Sequence, residues 1–134
     1  MPVDYAALRP GQEISRQTYR LDPDTVARYV EAVGDQSRFS MQPRDTAPVP
    51  PMAVAALGLR GVLEDLAIPG GAVHAGQELE FSGAVQVGET LQCIATLAQN
   101  SVRGEWRFMV VQLAVQDGGG RQVMTGKSTI MVPE

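Results

Sequence analysis

A carboxylate, a guanidinium and a hydroxyl fall close together in the run GDQSRFS, where Asp35, Arg38 and Ser40 are the groups that could do chemistry. A carboxylate can move a proton, and a hydroxyl becomes a nucleophile only when a base removes its own. An arginine there suits a carboxylate or phosphate on a ligand, as does Arg44 further along. Imidazole is the natural proton carrier near neutrality, and the chain has one, His74, far from this run in sequence. Each group also has a plain reading. Asp35 suits a turn after a helix, and Ser40 a loop hydroxyl with no base beside it. Lone histidines are commonly structural or exposed, and surface arginines in loops are ordinary. Cys93, the single cysteine, lies among apolar neighbours and reads as a small buried hydrophobe. One cysteine forms no internal disulfide, and one cysteine with one histidine forms no cysteine- or histidine-rich metal cluster. No metal and no cofactor is expected.

The elements that must position these groups are legible in the pattern. Glu13 to Leu21 reads as a first strand. Asp22 is a good N-cap, Pro23 fits the first helical position, and Val26, Tyr29, Val30 and Val33 repeat at the spacing of one buried helix face. Gly34 suits the stop. From Asp35 to Pro51 there is no period, and four prolines, Pro43, Pro48, Pro50 and Pro51, favour extended backbone. A loop of that length inside a compact domain is commonly functional or disordered. A second helix, Pro51 to Leu66, is apolar on all sides from Met52 to Leu59, so burial on every side is expected. Gly58 and Gly61 lower its intrinsic stability by about 1 kcal/mol each, which close approach of another backbone would explain. Pro69-Gly70-Gly71 is a turn, after which everything reads as strand. Leu79 and Phe81 alternate with polar residues, and Leu91, Cys93, Ala95 and Leu97 share a face. Trp106 to Gln116 is β-rich, Asp117 to Gly120 is a hairpin turn, and Gln122 to Val132 returns. Trp106 and Phe108 read as sheet packing.

The chain has 134 residues, of which 44% are hydrophobic and 19% charged, which suits one α+β domain spanning residues 1–134. Its formal net charge of −4 speaks against nucleic acid. There is no basic, apolar leader and no run long enough for a membrane helix, so a cytoplasmic protein is expected. A long antiparallel sheet wrapped around one buried helix is the hot-dog architecture. Its uncovered edges predict a dimer, with a second copy or with a relative.

The helix ending in GDQSRF, the APVPPM start of an all-apolar helix, and HAGQELEFSGAVQVGETL resemble the MaoC-like hot-dog hydratases and dehydratases. They are most similar to the fatty-acid-synthase-type dehydratase domains, a branch that includes non-catalytic subunits of heterodimers. The pattern there is an Ala-Pro-Pro helix start, a Gln-x-Phe strand and a Pro-x-x-x-Gly-Asp turn. This chain gives Pro50-Pro51, then Gln77-Glu78-Leu79 with Leu79 in place of phenylalanine, then Gly88-Glu89 with Ala84 in the proline position. The resemblance implies an acyl thioester on coenzyme A or acyl carrier protein, and reversible addition of water across a 2-enoyl bond. Active members carry Asp and His on the loop in a pattern like Gly-Asp-x-Asn-Pro-x-His. Here Gly34 and Asp35 match, Ser37 stands for Asn, Arg38 for Pro and Ser40 for His.

That replacement favours a substrate-binding subunit lacking the full dyad and working beside an active hot-dog partner. The alternatives are a competent homodimeric hydratase using Asp35 with His74, and a thioesterase in which Asp35, Glu64 or Asp65 activates water. Donors to a thioester carbonyl would be backbone N–H groups at the start of the second helix, from Met52 and Ala53, since proline has none.

Overall fold

The computed structural model describes residues 4–33, 49 and 51–134. A short 3-10 turn at Tyr5–Ala7 precedes β1 (Glu13–Arg20), α1 (Pro23–Val33), α2 (Pro51–Asp65), β2 (Val73–Phe81), β3 (Thr90–Arg103), β4 (Trp106–Asp117) and β5 (Gln122–Pro133). The strands form one antiparallel sheet in the order β1-β3-β4-β5-β2. The expected strands and helices are therefore present. The strand order was open, because alternation fixes which face a residue takes but not which strand lies beside it.

Alternation builds the core face. Leu91, Cys93, Ala95 and Leu97 of β3 are fully buried, beside Met109, Val111, Leu113 and Val115 of β4. Each such leucine contributes roughly 1.5–3 kcal/mol when taken out of water. The hairpin joining β4 to β5 is made by Asp117, whose Oδ1 accepts from the N–H of Gly119 at 3.0 Å and of Arg121 at 2.9 Å. Gly120 follows with φ +84°, which favours glycine.

The helices seat by specific contacts. Asp22 caps α1 by accepting from the Thr25 N–H at 2.8 Å, and Val26 is buried beneath. The side chains of Tyr29, Val30 and Val33, named with Val26 as one face, lie outside the described residues, as do Gly34 and the loop up to Pro48. The Gly88-Glu89 turn clasps the end of β1, with Gly88 N–H donating to Leu21 O and Leu21 N–H to Glu89 O. Helix α2 packs closest on β1. Its far end is fixed by Asp65, which accepts from Ser15 Oγ at 2.6 Å and Gln17 Nε2 at 2.8 Å, and by Tyr5 Oη, which donates to Leu66 O.

Two expectations about α2 need correction. A Cβ at Gly58 would meet Tyr19 Oη at 3.3 Å and Cys93 Sγ at 3.4 Å, and one at Gly61 would meet Gln17 Cγ at 2.8 Å. The glycines thus make room for side chains standing on β1 and β3, not for another backbone. The helix is also not buried on every side: Ala53, Val54, Ala55, Leu59 and Val62 are buried, whereas Met52 is 49% exposed and Ala56 is exposed. An apolar helix surface does not say which of its sides the chain itself will cover. On the uncovered flank, Ala56, Leu59, Leu63 and Ile68 line an apolar hollow of about 540 Å³.

Candidate functional site at the start of α2 and along β2

The start of α2 is anchored from outside the helix. Val49 is buried and donates its N–H to Val85 O at 2.7 Å, tying the chain just before Pro51 to the segment between β2 and β3. Pro51 opens the helix without needing an acceptor. The N–H groups of Met52 and Ala53 then belong to the first turn, where no intrahelical acceptor exists and the helix dipole favours negative charge. Ala53 is fully buried, and Met52 stands half exposed at the same end. Tyr19 underlies this turn, its Oη donating to Val54 O at 3.2 Å. Burial, with Cys93 as a secondary cause, raises the Tyr19 phenol above its ordinary range, so it is a neutral donor there.

Strand β2 forms the second wall. Among the described residues it is bonded only to β5, and it is exposed along its length except at half-buried Leu79. Register sets Gln77 opposite Ser128, Leu79 opposite Gly126 and Phe81 opposite Met124, which turns these side chains toward the helix side of the sheet. Leu79 lies across Gly126: a Cβ on Gly126 would come within 2.8 Å of Leu79 Cδ2 and 3.1 Å of Glu78 O. Ser128 is fully buried, and its hydroxyl has no hydrogen-bond partner among the described residues. Sequence pattern did not single out Ser128; the only available signal was its position on the apolar face of β5.

His74 is exposed, faces Ile130 across the ladder, and is followed by an irregularity before Gly76. The start of α2 is tied to Val85, at the end of the sheet where Ala84 O accepts from Arg121 and Ser82 N–H donates to Val123 O. Along β5, Ile130 and Val123 are separated by roughly 23 Å of strand. Within one chain, His74 and the α2 amides therefore occupy opposite ends. Asp35, Arg38, Ser40 and Arg44 lie outside the described residues. Of the two other acids considered, Asp65 has both oxygens engaged by Ser15 and Gln17, and Glu64 pairs with Arg60 at 3.3 Å. Cys93 is fully buried, and burial pushes its thiol up to about 11, so it presents no thiolate near neutrality. Among the described residues no group of three His, Cys, Asp or Glu is placed to hold a metal ion, and no helix is long and apolar enough to cross a membrane.

Solved structures share this fold. The R-hydratase PhaJ1 from Pseudomonas aeruginosa is 21% identical, covers 97% of this chain and 85% of its own, and superposes with a TM-score of 0.78. The (R)-hydratase from A. caviae involved in PHA biosynthesis is 21% identical, with 95% and 98% covered and a TM-score of 0.76. The C-terminally truncated HadBC complex, a 3R-hydroxyacyl-ACP dehydratase from Mycobacterium tuberculosis, is 17% identical, with 98% and 99% covered and a TM-score of 0.76. At these identities the likeness establishes the α+β hot-dog fold. No curated protein matches the sequence. The family described as FAS1-like, dehydratase domain region, matches residues 9–126, and so the chain belongs to this family of MaoC-like hot-dog dehydratases.

Proposed function

We propose that this chain binds an acyl thioester, on coenzyme A or acyl carrier protein, as the substrate-holding subunit of an enoyl hydratase or 3-hydroxyacyl dehydratase. The carrying observation is Ser40 standing where active members of the resembled family have histidine, in a chain whose family match spans residues 9–126. A serine does not shuttle protons near neutrality without a base. His74 stands at the end of β2 remote from the start of α2, which supports the view that one chain does not rebuild the dyad. The Met52 and Ala53 amides are suited to a carbonyl gaining enolate charge. Arg38 is assigned to a polar group of the ligand. Asp35 and Ser40 are the remnants of the proton-moving pair, and His74 is the base only if a second chain supplies its neighbours.

A dimer with a related chain completes this reading. Among the described residues, the unpaired edge of β2 and the uncovered apolar flank of α2 both support association. Cytoplasmic localisation belongs to the same proposal. The test uses the purified chain with crotonyl-CoA. Thermal stabilisation by the thioester with no hydration is the expected result. Rapid hydration by the isolated chain would refute the subunit role, and absence of stabilisation would refute thioester binding.

A further inference from the structure

We propose that the free edge of β2 selects a non-identical chain whose own edge strand is basic, over a second copy of this chain. The inference rests on the subunit reading for its expectation of a partner, and on the geometry of β2 for the partner's chemistry. Strand β2 uses one row of backbone groups on β5, and among the described residues the other row is unpaired, the arrangement on which another strand adds. Gly76, Glu78 and Glu80 face Thr129, Lys127 and Thr125 of β5 and share the face turned away from α2. Both carboxylates are exposed.

A second copy would pair with this edge about a two-fold axis, antiparallel, with each residue facing its mirror position. Residues on opposite faces cannot oppose one another, so the axis must pass at a residue. Through Gln77, it makes the two copies of Glu78 diagonal neighbours. Through Glu78, it sets those two carboxylates directly opposite. Through Leu79, it sets Glu78 against the copy's Glu80, twice. Each of these three registers thus brings like charges within about 5–8 Å on one face, whereas one through Gly76 places the irregularity between His74 and Gly76 of both copies beside the axis. Lys127 is the single cation on the neighbouring stretch of β5, already facing Glu78, and each copy adds a formal net charge of −4. A strand carrying lysine or arginine at the facing positions converts the repulsion into attraction and rejects the self pair.

The test is a charge swap within this chain. Wild-type chain is mixed with the Glu78→Lys/Glu80→Lys variant, after circular dichroism has verified the fold of each. Native mass spectrometry then reads the dimers at low and high salt. Mixed dimers well above the statistical half at low salt, declining as salt screens the charges, are expected. The neutral variant Glu78→Gln/Glu80→Gln covers the case in which lysine beside Lys127 disturbs the fold. Its self-association, measured by sedimentation, should be about threefold to tenfold tighter than wild type. Statistical mixing, a wild-type dimer insensitive to both salt and neutralisation, or no association in any mixture would overturn the proposal. A separate thermal-shift measurement with crotonyl-CoA keeps the two readings apart: charge-selective pairing without thioester binding would sink the subunit role and leave the edge preference standing.

Discussion

Replacing Gly126 with alanine tests how tightly β2 is laid on the sheet. The added methyl would sit 2.8 Å from Leu79 Cδ2 and 3.1 Å from Glu78 O. The leucine terminus can rotate away at modest cost, but the carbonyl belongs to the ladder joining β2 to β5, and it must give by a few tenths of an ångström. Overpacking of this kind costs roughly 1–3 kcal/mol. Alanine in place of a strand glycine recovers about 0.5–1 kcal/mol through the unfolded chain. A net destabilisation of about 1 kcal/mol follows, or a fall in Tm of about 4 °C for a chain of this size. Urea unfolding measures the loss, and hydrogen exchange locates it in the β2 amides that pair with β5. Because one of the two close contacts is with Leu79, the same substitution in a Leu79→Ala background should cost less. Unchanged or increased stability of Gly126→Ala, or an equal cost in both backgrounds, would refute the reasoning.

Ser128→Ala removes a fully buried hydroxyl with no partner among the described residues, and should raise stability by up to about 1 kcal/mol in urea unfolding. The Thr25 N–H hydrogen bond holds the Asp22 carboxyl below the usual range. A lowered folded-state value means a contribution present above the unfolded carboxylate value, about 4, and lost as pH falls through the folded value. Asp22→Asn keeps an acceptor but cannot titrate there, so its acid unfolding curve should be flatter than wild type. Cys93, buried and with its thiol near 11, should react with a thiol reagent at pH 8 only as fast as the protein unfolds, and rapid labelling in native buffer would contradict its placement.

Reading the sequence recovers most of the elements for identifiable reasons. Asp22-Pro23 marks α1 because the aspartate side chain does capping work visible in composition alone. The hairpin at Asp117 to Gly120 is legible because a carboxylate and a glycine at the position of positive φ, Gly120, are what that turn requires. Cys93 is readable as core because its neighbours at two-residue spacing are all apolar. The position of β2 beside β5 was hidden, since a strand that follows α2 and precedes β3 lies at the far edge from β1. His74 was ambiguous for a related reason: the irregularity before Gly76 breaks the alternation that would have assigned its face. Gly61 misled because a missing side chain signals close approach without naming what approaches. For the candidate site, the helix start that carries Met52 and Ala53 was legible from the proline that opens it, whereas Ser128 carries no motif.

The two glutamates on β2 have a second effect that needs no partner. An exposed strand with a bare backbone row is a template onto which identical chains can stack one after another, and β2 is held to its own sheet by a single ladder. Carboxylates at alternate positions make each further addition of the same chain less favourable, so they act as a brake on open-ended polymer growth while the subunit waits alone. Neutralising them to strengthen the self pair should therefore also shorten the time such a preparation stays clear in solution.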